Sequence, residues 1–487
     1  MSKTKAQRDI EDIQFILSEI VRLHSMEFTD LMAHLDENEN DSWYEVPHPS
    51  GSGGLVCGEA AGRRFYDLTA RHLATQPNLR NNFDPEDFAR DVMSEFSARF
   101  LKQGAEVNQR SIDKMFSAAV KKSKAKHKAL THYIPCIVVS SAEPEAFRIG
   151  PVVFVRMEKF IGEHREAFEA ERERIRLDHI RRCEEAIEKG SSADQIATPD
   201  ISAGIASHLV NDTVSYFEKF KWMAVVDIPE CDVTISQRRA ERTIEAALDI
   251  LKLFFRRVHG ESLRQGHAYA PPPNTASLTR EAGGKFNFSL AWSSQDAPAG
   301  KNWIRILTEP DDSYARAAAS ALDSCVDPQY SSHLKERFLD AMSWYGQAIS
   351  EPTASLQIVK YVAALERLTV TKKMEEGLTV AVTTRAALLN YDGTGEDYDR
   401  VLKEAQKVYD FRSGLMHGSL SPFDSELESV SPSAEKITRQ ALFSCLALFT
   451  RLDSQTKDAG RKDLEAAYQK LYEQIPRRAR AAEESKE

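Results

Sequence analysis

The sequence predicts an α+β protein: a mixed α/β N-terminal region followed by an all-α C-terminal helical bundle. Three observations carry this. Short β-branched runs at 133–139 and 152–155 are bounded by turn residues, the pattern of strands. Long segments on either side keep apolar residues at three-and-four spacing, the helical period. From about 312 onward nothing reads as strand, and the short connections favour antiparallel helical neighbours.

Length and composition bound the rest. At about 150 residues per domain, 487 residues suggest about three domains. With 42% hydrophobic and 28% charged residues the chain has an ordinary soluble, globular mix. The best apolar run, 441–449, is bracketed by Arg439 and Arg451 and is far shorter than the roughly 18 residues of a membrane span. The first residues carry charges and no apolar signal core, so secretion is not expected. A net charge of −10 argues against a generally basic, sticky protein but is compatible with a local basic cleft. The six cysteines are scattered without a CxxC pair. That fits a reducing, cytoplasmic compartment and gives no metal or redox motif.

Four stretches follow in order. In 1–130, a helix over 5–35 is marked by Ile10, Ile13, Ile16, Leu17, Ile20 and Leu23. A polar, glycine-rich loop follows to residue 54, and its glycines lack the Lys-Ser or Lys-Thr of a phosphate-binding loop. A helical stretch over 62–128 ends in Lys121, Lys122, Lys124, Lys126 and Lys128. This run is either a solvated helix end or a phosphate-contacting strip for RNA. In 131–310, strands at 133–139, 152–155, 222–226, 286–290 and 303–307 alternate with helices at 160–188 and 236–257. Residues 191–199 read as a linker. In 311–473, helices are expected at 312–324, 330–349, 353–370, 374–390, 396–417, 434–453 and 457–472. Residues 474–487 form a charged tail. No internal repeat is present.

The chemistry concentrates at the end of helix 396–417. Projected at about 100° per residue, Val401, Ala405, Val408, Leu415 and Met416 share a stripe with Arg412 near its middle. A guanidinium there needs an acid partner or a polar cleft. Glu366, flanking the apolar face of helix 353–370, is one candidate. His417 occupies the last turn and Gly418 suits the helix stop. An arginine grips phosphate oxygens in a fork, and a histidine moves protons near neutral pH. The spacing alone is weak, because 13 histidines and many arginines produce it by accident. Arg174 and His179 are such a pair, set among alternating charges with no helix stop. Context favours 412–417.

The segment from Tyr409 through Arg412, Ser413, His417 and Gly418 resembles the Arg-x4-6-His signature of HEPN domains. It is similar to the Apea-like branch, whose pattern runs Tyr-x-x-Arg-Ser-x-x-x-His-Gly. The segment 362–368, with Glu366, resembles that branch's Leu-Glu-x-Leu helix. The resemblance covers about 330–455; serine after the arginine fits this branch, where other HEPN domains commonly carry Asn, Asp or His. It implies an endoribonuclease needing no metal or other cofactor. Two bundles would pair as a homodimer and line one cleft with both copies of Arg412 and His417. His417 would assist the 2′-hydroxyl or protonate the leaving oxygen, and Arg412 would stabilise the phosphoryl charge. Tyr409, Ser413 and Glu366 would support them. Many such proteins act in bacterial defence against phage or as toxins, and region 1–310 would be the place for a phage-derived or other protein trigger. The other reading is an inactive bundle used only for dimerisation or recognition, with Arg412 in an internal ion pair and His417 a plain helix-end residue.

Overall fold

The computed structural model describes residues 3–27, 29–30, 44–140, 144–188, 199–266, 274–280, 286–292, 313–371, 377–391, 393, 395–456 and 459–475. It is α+β, with its strands before residue 293 and, among the described residues, only helices from Ser313 onward. Two compact units divide the chain. Unit 1 is 1–130 with 228–239, and unit 2 is 131–227 with 240–487. The boundary expected near 310, the strand expected at 303–307 and the tail from 476 onward lie outside the described residues.

Unit 1 opens with α1 (Lys5–His24), whose start is fixed by a capping box between Thr4 and Gln7. The loop expected up to residue 54 contains strand β1 (Tyr44–Pro47), and β2 (Gly54–Cys57) pairs with it antiparallel. Four-residue strands around a Gly-rich turn are too short to show a period. The helical stretch expected over 62–128 is divided into α2 (Glu59–Ala74), α3 (Pro77–Asn82), α4 (Pro85–Phe96) and α5 (Gln109–Lys124). Prolines set the first two breaks, since Pro77 and Pro85 each occupy a first helical turn, whereas a π-helical segment, Ser97–Lys102, and the Asn108 cap precede α5. Asp84 caps α4 by accepting from the Glu86 and Asp87 amides. Ile13, Ile16, Ile20, Phe65, Phe96 and Phe116 pack into one core.

Unit 2 holds a five-stranded sheet of β3 (Lys128–Ile137), β4 (Ala146–Ile149), β5 (Val152–Arg156), β6 (Trp222–Cys231) and β7 (Arg264–Gln265). The spatial order is β4-β5-β6-β3-β7. β5 runs antiparallel to both neighbours, with Phe154 opposite Phe147 and Ala224. The long helices α6 (Met157–Glu188) and α7 (Pro199–Phe217) follow β5, and α8 (Val233–Gly260) follows β6. The hairpin β8 (Asn274–Arg280) and β9 (Phe286–Trp292) forms its own two-stranded sheet.

The helical part comprises α9 (Ser313–Val326), α10 (His333–Ile349), α11 (Ala354–Thr369), α12 (Leu378–Leu389), α13 (Gly395–His417), α14 (Leu427–Gln455) and α15 (Arg461–Glu473). α11 is central and packs on α10, α13, α14 and α12. Its buried residues Ile358, Tyr361, Val362, Leu365 and Leu368 follow the helical period. α14 begins seven residues before the expected 434, with Pro432 inside it. α8 docks on this bundle: Arg439 Nε donates to the Leu253 carbonyl at 2.7 Å, and Phe254 meets Phe443 edge-on. Among the described residues no helix is long and apolar enough to cross a membrane.

Candidate functional site

α13 carries Arg412 and His417 because of how its faces alternate. Tyr398, Val401, Leu402, Ala405, Val408 and Tyr409 are buried, while Arg400, Lys403, Gln406, Lys407 and Asp410 face solvent. From Phe411 to Leu415 every residue is half-buried, and Met416 and His417 are exposed. The helix therefore leaves the core over its last two turns, delivering Arg412 at the margin and His417 outside.

The helix stop is a Schellman turn. Gly418 has φ +74°, the left-handed backbone that glycine takes at least cost. The Ser419 amide donates to the Gly414 carbonyl at 3.0 Å, and the Gly418 amide to the Leu415 carbonyl at 3.4 Å, the double closure of that motif. The Leu420 amide also donates to Gly414 at 3.1 Å. Gly414 lets Leu420 approach: a Cβ there would lie 3.0 Å from Leu420 Cβ.

Arg412 meets Glu366 of α11. Its Nη2 stands 3.3 Å from Glu366 Oε1 and 3.4 Å from Oε2. The Tyr409 hydroxyl donates to Glu366 Oε1 at 3.1 Å, and the guanidinium lies 5.7 Å from the Tyr409 ring centre. Both charged side chains keep about a fifth of their surface exposed, 23% and 21%. The contact is longer than a strong charge-assisted bond of about 2.7–2.9 Å. Arg412 Nε is buried without a hydrogen-bond partner among the described residues. Burial, then the Glu366 charge and hydrogen bond, push the Tyr409 hydroxyl pKa up, against the opposing Arg412 charge and Thr379 hydroxyl.

Glu366 is placed by a clamp on the end of α11 that the sequence did not reveal. Buried Arg337 donates from Nη1 to the carbonyls of Arg367 and Val370. Arg385 Nη1 donates to the Thr369 carbonyl at 2.7 Å, and the Tyr468 hydroxyl to Leu368 at 3.1 Å. These donors satisfy helix-end carbonyls that would otherwise be buried unpaired. In sequence, Arg337 and Arg385 read as ordinary helix charges, so no local signal marks them.

His417 makes no hydrogen bond or ion pair among the described residues and is exposed. It lies about 140° round the axis and about 7.5 Å along it from Arg412 on a regular helix. On such a helix the two groups point apart. Ser413 is half-buried beside Arg412.

The lysines belong to unit 1. Lys121, Lys122 and Lys124 end α5, whereas Lys128, expected in the helix, opens strand β3. Lys126 Nζ lies 2.7 Å from both Asp91 oxygens. Lys122 Nζ donates to Ser94 Oγ at 2.8 Å and lies 3.5 Å from Asp91. Burial would raise the Asp91 pKa, but bonds from Lys126 and Ser123 and the lysine charges hold it below the usual carboxylate range. Arg174 is paired with Glu171 on the charged surface of α6, as its setting suggested.

A cavity of about 620 Å³ in the bundle is lined by Asp397, Arg400, Glu404, Glu435 and Lys436, and it includes neither Arg412 nor His417. Among the described residues no group of three His, Cys, Asp or Glu is arranged to hold a metal ion. No protein-family model, no curated protein and no solved structure matches the chain.

Proposed function

We propose that this chain is an HEPN-type endoribonuclease that cuts RNA without a metal, in a cleft formed by two copies. The observation that carries the reading is the end of α13, where half-buried Arg412 precedes an exposed His417 closed off at Gly418. In the reaction the RNA 2′-oxygen attacks the adjacent phosphorus as the bond to the 5′-oxygen breaks. The products are a 2′,3′-cyclic phosphate and a free 5′-hydroxyl. His417 takes the 2′ proton or returns one to the leaving oxygen, and Arg412 holds the phosphoryl oxygens. Because the two groups diverge on one helix, the reading requires a second copy to complete the cleft. A cytoplasmic role in bacterial defence against phage, or as a toxin, belongs to the same proposal, as does a protein trigger.

The test is to incubate the purified chain with total RNA in EDTA and map the cut ends. Cyclic phosphates made by the native chain and lost in Arg412→Ala and His417→Ala, with both variants folded, are expected. Cleavage that persists in the double variant, or that EDTA abolishes, overturns the assignment.

One observation favours a second reading, a binding or assembly module without catalysis. Arg412 already faces a carboxylate, that of Glu366. That reading predicts a dimer that degrades no RNA and is indifferent to the same substitutions.

A further inference from the structure

The segment between α13 and α14 presents a bare aromatic ring. Phe423 is 92% exposed, the highest exposure among the large apolar side chains described. It is held out by a short, well-bonded turn. The Asp424 amide donates to the Ser421 carbonyl at 3.1 Å, closing a β-turn over Ser421, Pro422, Phe423 and Asp424. Pro422 takes the position where its fixed φ suits the turn. The Phe423 amide donates to Ser421 Oγ at 3.2 Å, and Asp424 Oδ1 accepts from the Glu426 amide at 2.9 Å. Four and three residues earlier, the Ser419 and Leu420 amides tie the chain to α13 at Gly414. The ring is thus carried on a braced segment that starts at His417.

We propose that Phe423 is a stacking platform for an unpaired base of the RNA strand held at Arg412 and His417; this rests on the nuclease reading above. Every base has a π-face, so one aromatic ring engages it whatever its identity. The surroundings favour a base over a subunit surface. Ser419, Ser421, Ser425 and Glu426 are exposed polar neighbours in the segment, and the exposed apolar side chains nearest the ring in sequence are Pro422 and, at the end of α13, Met416. One phenyl ring offers roughly 150–250 Å², well below the about 1,200–2,000 Å² of a stable protein interface. Asp424 and Glu426 repel phosphate from the turn itself, which leaves the flat face of a base as the compatible contact. A duplex keeps its bases stacked internally, so the platform selects single strands.

The experiment uses the full chain with His417→Ala, so that the probe survives. A single-stranded RNA oligonucleotide containing 2-aminopurine is titrated, with its duplex as control. Fluorescence quenching on binding is expected for the single strand only. Adding Phe423→Ala should weaken binding about tenfold and remove the quench, while Phe423→Tyr or Phe423→Trp restores both. Unchanged affinity and quench in Phe423→Ala overturn the proposal. So does a switch from dimer to monomer in sedimentation, which would make the ring a subunit contact. A native chain that neither binds nor cuts RNA overturns the nuclease reading along with this one. A native chain that cuts RNA, with Phe423→Ala indistinguishable from it, overturns only the platform.

Discussion

Arg412 and Glu366 face each other across α13 and α11, with both carboxylate oxygens 3.3–3.4 Å from one guanidinium nitrogen. At this distance and exposure the pair contributes at most about 1 kcal/mol to stability. Its value is therefore geometric: it fixes where the guanidinium sits. Tyr409 sets the carboxylate in turn.

Glu366→Gln should lower the unfolding free energy by about 1 kcal/mol or less in urea. On the nuclease reading it should also slow RNA cleavage by about tenfold to a hundredfold, the scale of a slight misplacement. The Tyr409 hydroxyl should titrate lower than in the native chain, because a neutral amide removes the charge that adds to burial in holding it up. Ultraviolet titration, with Tyr409→Phe to identify the signal, measures this. An unmoved Tyr409 titration would show that the carboxylate does not govern that hydroxyl.

Asp249 of α8 is buried beside Lys252, its Oδ1 3.0 Å from Lys252 Nζ. Burial pushes its carboxyl up to about 7, although Lys252 opposes the shift. A folded pKa raised above the unfolded value means stability present at low pH that is lost as pH rises toward 7. Urea midpoints across pH 4–8 should therefore show a falling component in the native chain that Asp249→Asn lacks. Parallel profiles for the two proteins would refute the shift.

Gly346 of α10 makes room for that same carboxylate. A Cβ at 346 would lie 1.8 Å from Asp249 Oδ1 and 2.2 Å from its Cγ. Gly346→Ala should cost about 1–3 kcal/mol through overpacking. Asp249→Ala in the same chain should recover part of it, a coupling read from a double-mutant cycle. Additive losses would mean that the two sites do not touch.

The lysines of unit 1 divide into two sets. Lys122 and Lys126 are engaged with Asp91, while Lys121, Lys124 and Lys128 make no ion pair among the described residues and are exposed. If the second set contacts RNA phosphates, replacing all three with alanine should reduce the slope of log affinity against log salt by about 2. An unchanged slope would identify the run as a solvated helix end.

What the sequence disclosed follows from where its information is local. The end of α13 was legible because Gly418 and the apolar period of Val401, Ala405 and Val408 sit in one stretch of chain. Pairing of Arg412 with Glu366 was within reach, since a charge on an apolar stripe demands a partner. The start of α14 was obscured by Pro432, a residue that removes a helical hydrogen bond yet is accommodated inside the helix. The Arg337 and Arg385 clamp was beyond reach, because its acceptors are backbone carbonyls 16 to 33 residues away. Only Gly346 inside a helical pattern hinted at the close approach of Asp249.

The turn at Gly418 has an electrostatic outcome for any polyanion that comes near. A helix that simply frayed there would present a fringe of partial negative charge beside His417. Three amide protons, from Gly418, Ser419 and Leu420, are instead folded back onto the oxygens of Gly414 and Leu415. The fringe is reduced at those two oxygens, so on the nuclease reading a phosphate approaching the imidazole meets less of that opposing field.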